Sequence, residues 1–81
     1  MEYEIDTDES ASIAVVRAIA AYTERRPEEL EPLYEVIDPE ALTKVIANSN
    51  AGVRVEFEYS GFAVSIDAES VTIDEPNEGN N

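Results

Sequence analysis

Carboxylates are almost the only side chains in this sequence that could do chemistry. The 81-residue chain carries nineteen Asp and Glu against five Lys and Arg, and it has no His and no Cys. Lacking His, it has neither the commonest general base nor the commonest transition-metal ligand; lacking Cys, it has no thiol nucleophile, thiolate metal site or disulfide. Carboxylate pairs can serve as the acid and base of a glycosidase-like dyad, and Glu24 with Glu28, or Glu31 with Glu35, stand four apart. At this density of acids chance alone gives roughly four pairs at that spacing, so they read as solvated surface. Asp6, Asp8 and Glu9 could attract Mg²⁺ or Ca²⁺, yet the stretch lacks the glycine turn and terminal bidentate Glu of a calcium loop. Helix capping with loosely associated cations suits it better. Lys44 is the only lysine and falls on the outer face of a helix, and the three glycines form no phosphate loop. The expectation is no catalytic residue, no cofactor and no metal site: a protein that is not an enzyme.

The formal charge of -14 opposes the phosphate contacts that supply most nucleic-acid affinity, so direct nucleic-acid binding is not expected. It suits a salt-crowded cytoplasm, where acidic surfaces hold water and self-repulsion is screened within a few ångströms. In dilute buffer that repulsion should be unmasked, and the fold is expected to need high ionic strength. Disorder is excluded as the meaning of the charge, because the chain is 43% hydrophobic and its apolar residues fall into periodic segments. One domain over residues 1–74 is expected, followed by a disordered polar tail over 75–81. The opening MEYEIDTDES has neither the basic start nor the apolar stretch of a secretory signal, and no run reaches membrane-spanning length. No membrane contact is expected, and the cytoplasm is the expected location.

The elements that must position any site can be read from periodicity. Tyr3 and Ile5 alternate with acids as in a short strand, and a helix should begin between Thr7 and Ser12. On a helical wheel Val16, Ile19, Ala20 and Thr23 form a stripe flanked by Ile13, Val15 and Tyr22, which leaves Ala14, Ala18 and Ala21 outside. Arg25, Arg26 and Pro27 should end this helix, with a single turn over Pro27 to Leu30. Asp38 can cap a second helix that has Pro39 at its first position, Ile37 and Leu42 as a hydrophobic staple, and an inner face through Leu42, Val45, Ile46 and Ser49. Asn48, Ser49, Asn50 and Gly52 supply its stop signals. From Val53 the period changes to two. A loop at Ser60 and Gly61 would pair Tyr59 with Phe62, Phe57 with Val64 and Val55 with Ile66. A turn over Asp67 to Ser70 would then set Val71 beside Ile66 and Ile73 beside Val64. The resulting fold class is α+β, two main helices on one face of a three- or four-stranded antiparallel sheet, in the order β-α-α-β-β-β.

Two stretches poor in acids are candidate interaction surfaces. One is the segment from Pro32 to Pro39, with Leu33, Tyr34 and Val36 and with Asp38 near its end; a tyrosine beside prolines can be half-buried core or a recognition group. The other is the alanine side of the first helix, Ala14, Ala18 and Ala21, which reads either as helix propensity or as a second contact surface. Either could meet a separate protein partner, and a homodimer could use the first helix or an open sheet edge.

The run Pro32, Leu33, Tyr34, Glu35, Val36, Ile37, Asp38, Pro39, Glu40, Ala41, Leu42 resembles the signature of the halobacterial output domain family. The run Val55, Glu56, Phe57, Glu58, Tyr59, Ser60, Gly61 resembles the family's aromatic strand and turn, and Ser12 to Thr23 resembles its alanine- and valine-rich first helix. The resemblance implies a haloarchaeal domain that passes a signal onward by a mechanism not established for the family, with no catalytic residues to carry over. Some members are joined to receiver and sensory modules. With about ten residues before the first helix here, any input is expected from a separate partner.

Overall fold

The structure, a computed structural model, describes residues 1–48 and 52–75. In chain order it holds β1 (Glu2–Glu4), α1 (Ala11–Thr23), two 3-10 turns at Pro27–Glu29 and Leu33–Glu35, α2 (Pro39–Ala47), β2 (Val55–Tyr59), β3 (Phe62–Ile66) and β4 (Ser70–Asp74). The strands make one antiparallel sheet in the order β1-β4-β3-β2. The fold is α+β with the expected β-α-α-β-β-β order, and the short N-terminal strand forms the fourth strand.

Alternation fixes the sheet register. Val55, Phe57 and Tyr59 face Ile66, Val64 and Phe62 across the hairpin, and Val64 and Ile66 face Ile73 and Val71, as the periodicity requires. The two-residue loop works because Ser60 and Gly61 both take positive φ, 56° and 85°, the twist-matched geometry of a type I′ turn. At the second turn the Asp67 carboxylate accepts the N–H groups of Glu69 and Ser70 at 2.8 and 2.9 Å, which also holds its carboxyl below the usual range. β1 closes the other edge through Tyr3 opposite Val71, and Met1 exchanges two bonds with Ile73.

α1 departs from the expected phase. Its buried face is Ala11, Ala14, Val15, Ala18, Ile19 and Ala20, with Ala14 and Ala18 at 0% exposure, whereas Ile13 is 48% exposed and Val16 is half-buried. Of the alanines expected on the outside only Ala21 lies there. The reason is size: alanines against the sheet let the helix pack closely on it, and the larger Val15 and Ile19, one turn apart on the adjoining flank, fill the rest of the buried face. α1 also stops before the expected proline, because Glu24 takes a left-handed φ of 58° and its N–H and that of Arg25 reach back to the carbonyls of Ala20 and Ala21.

α2 begins as expected. Asp38 Oδ1 accepts from Glu40 and Ala41 N–H at 3.0 and 3.2 Å, with Pro39 in the first helical position. Leu42 and Ile46 are buried, but Val45, expected inside, is 47% exposed. The inner stripe runs instead through Leu42, Ile46 and the half-buried Thr43, whose hydroxyl bonds Ser12 of α1 at 3.3 Å. Ser49 and Asn50 lie outside the described residues, as does the tail beyond Glu75. α1 is the element that touches β1, β3 and β4, and α2 packs mainly on α1.

The helix phase makes a direct test. Ala18→Leu should destabilise by about 1–3 kcal/mol through overpacking, while Ala21→Leu should stay within about 0.5 kcal/mol, both read by thermal unfolding. Equal effects would contradict the phase described here.

Candidate functional site

Because the alanine face of α1 is spent on the sheet, Ile13, Val16 and Arg17 are left on the other side. Opposite them runs the proline-rich segment between the helices. Two buried leucines, Leu30 and Leu33, root that segment in the core. Between them Tyr59, 1% exposed, donates its hydroxyl to the Glu31 carbonyl at 2.7 Å, so the hairpin holds the segment from below. Burial pushes the Tyr59 phenol above its ordinary range, which keeps it a neutral donor. Pro27, Pro32 and Pro39 fix φ at three points along the same wall.

Between α1 and this segment lies an open groove of about 350 Å³. Ile13 and Val16 line one side, Pro27, Pro32, Leu33, Tyr34 and Pro39 the other, and Arg17 and Ser12 complete it. The surface is largely apolar and small for a ligand cleft, at the low end of the roughly 300–1,000 Å³ such sites occupy. Tyr34 is 70% exposed, so its ring is presented to solvent at the groove instead of being packed in the core. A second hollow of about 390 Å³, on the outer sheet face, is lined by Arg54, Glu56, Glu58, Ser65 and Asp74 among others. There Arg54 bonds Ser65 and pairs with Glu56 at 3.4 Å, the pattern of an ordinary solvated face.

The groove continues into an acidic notch of about 250 Å³ lined by Asp6, Asp8 and Glu9, with Ile13 and Arg17 shared between the two. Glu9 is not a free acid. Its side chain is 3% exposed and accepts the Tyr3 hydroxyl at 2.7 Å, Arg17 Nη1 at 2.9 Å and the Asp6 N–H at 3.0 Å. It thereby ties β1 and the turn before α1 to the body of α1. Asp6 and Asp8 remain exposed, and among the described residues no three carboxylates gather as a metal site.

The residues singled out from sequence divide accordingly. Leu33 and Tyr34 line the groove; Val36 is half-buried against the core; Asp38 caps α2. Ala14 and Ala18 are interior, and Ala21, although exposed, lies outside the groove. Ile13 and Val16, assigned to the core stripe by the wheel, form the opposite wall instead. The signal for them was the excess of uncharged positions around α1, more than one packed face needs.

Glu9 carries a pH dependence. The Tyr3 hydroxyl, helped by the Asp6 N–H and Arg17, holds its carboxyl below the ordinary value against the opposing effect of burial. A carboxyl lowered on folding adds stability that is present above its unfolded value, about 4.3, and is lost as pH falls through the lower folded value. Glu9→Gln should therefore lower stability at neutral pH, and its deficit relative to wild type should shrink on acidification below that value. A deficit independent of pH would contradict this role.

No curated protein and no solved structure matches the chain. The family model for halobacterial output domain 1 matches residues 7–75, which takes in α1, the proline-rich wall, α2 and the three-stranded meander. The groove and nearly all the residues that build it thus fall within one known domain, and the chain belongs to the halobacterial output domain 1 family.

Proposed function

We propose that the chain is a non-catalytic protein-interaction module of signal output or regulation, and that its contact surface is the groove between α1 and the proline-rich segment. The observation that carries this reading is the pairing of an exposed Tyr34 with an exposed Ile13 across a groove whose wall is anchored by Leu30, Leu33 and the Tyr59 bond to Glu31. A preformed wall lowers the entropy lost on docking, and a half-free tyrosine is the kind of residue that dominates contact energies. The family's description as an output domain agrees with a role in passing a signal to something else. The acidic surface fits a high-salt cytoplasm.

Assembly of identical copies is the weaker reading. Its alanine face is gone, since Ala14 and Ala18 are interior. The free edge of β2 remains, but an antiparallel pair of β2 strands centred on Phe57 would set Glu56 opposite Glu58 twice. Like charges directly opposite are destabilising.

Comparative capture from a lysate of the source cells in molar KCl tests the proposal. Tyr34→Ala and Ile13→Ser should keep the circular dichroism of the wild type and retain at least about tenfold less of a specific partner, whereas Glu56→Gln on the outer sheet face should retain it fully. Unimpaired capture by both groove variants would overturn the assignment. Unfolding of Tyr34→Ala would instead place that side chain in the core.

A further inference from the structure

The acids around the groove say what kind of partner fits it. Asp6 and Asp8 line the notch that continues the groove past Ile13 and Arg17, and Glu31 and Glu35 flank the lining residues Pro32, Leu33 and Tyr34 in the chain. All four are exposed, and none has a cationic partner among the described residues. Arg17, the one cation lining the groove, is already bound to Glu9, and Arg26, which precedes the lining Pro27, is paired with Glu28 and Glu29. The groove is therefore an apolar floor with a negative margin.

Resting on the groove as the contact surface, we infer that its occupant is a short peptide segment with aliphatic side chains flanked by arginine or lysine. Aliphatic groups fill the space between Ile13 and Tyr34, and a cationic side chain crosses Arg17 to reach Asp6 and Asp8. A second copy of this chain is a poor occupant. An isologous contact would bring each copy's own acid margin, Glu31 and Glu35 included, against its twin, with -14 on each body. An acidic partner meets the same repulsion, while a basic segment gains from it in approach and in register.

The test uses three labelled synthetic peptides: two leucines between flanking arginines, the same peptide with glutamine for arginine, and the same with serine for leucine. Binding is read by fluorescence anisotropy at the lowest KCl concentration that preserves the fold by circular dichroism. The leucine–arginine peptide should bind about fivefold tighter than the glutamine form, the scale of two partly exposed ion pairs, and the serine form should not bind. Asp6→Asn with Asp8→Asn should cut the arginine preference to about twofold, the scale of the one remaining pair; Glu56→Gln with Glu58→Gln, which removes equal charge from the far face, should leave it intact. Equal binding of the arginine and glutamine peptides, with both lost in Ile13→Ser, would overturn the basic partner and leave the groove standing. Binding unaffected by Ile13→Ser, or no binding by any peptide, would overturn both the inference and the groove. A concentration-dependent dimer dissolved by Ile13→Ser would assign the groove to a second copy and overturn the basic segment.

Discussion

The fit of α1 against the sheet is the constraint on which the rest of this domain depends. A helix has one face to give to a sheet, and here the face given is the one that carries Ala11, Ala14 and Ala18 with Val15 and Ile19 beside them. Small side chains shorten the distance from helix axis to sheet, and the larger neighbours beside them complete the packing. Every other contact of α1 follows from that choice. Tyr22 meets Phe62 of the hairpin edge-on at 5.2 Å, and Ser12 meets Thr43 of α2. Ile13, which has no place left in the core, and Val16, only partly buried against it, turn toward the outside and need a cover.

The proline-rich segment is that cover, and it is incomplete. Its leucines reach the core and Tyr59 fixes the Glu31 carbonyl, so the wall stands at a set position without closing over Ile13. A groove follows from this mismatch between a helix with apolar residues on more than one side and a segment too short to bury them all. Its stiffness comes from the prolines and from the Tyr59 bond that originates in the hairpin. The sheet and the groove are thus mechanically one structure, although no strand residue lines the groove.

The acids have two separate uses. Glu9, Glu29, Asp38 and Asp67 each accept a backbone N–H and fix a turn or a helix start. The exposed remainder keeps the surface wet and charged. Much of this was legible in the sequence. The hairpin register could be read because a one-residue slip would turn every apolar side chain outward, and the Asp38–Pro39 start has a local cause in both residues. The phase of α1 was not, because alanine is content on either side of a helix and the wheel holds two overlapping apolar stripes. The Glu9 cluster was hidden for a different reason: Tyr3 and Arg17 meet it only after β1 and the following turn have brought them together. Tyr34 was visible as an anomaly, but only the placement of Leu33 in the core and Tyr34 outside it decides which of the pair is structural.

Site-specific photo-crosslinking tests the central claim, that the contact surface lies where α1 leaves Ile13 uncovered, most directly. A photoreactive residue replacing Tyr34, and another replacing Glu56 on the far face of the sheet, would be irradiated with source-cell lysate in molar salt. The account predicts a discrete adduct from position 34 and none from position 56. A discrete adduct at 56 with none at 34 would contradict it.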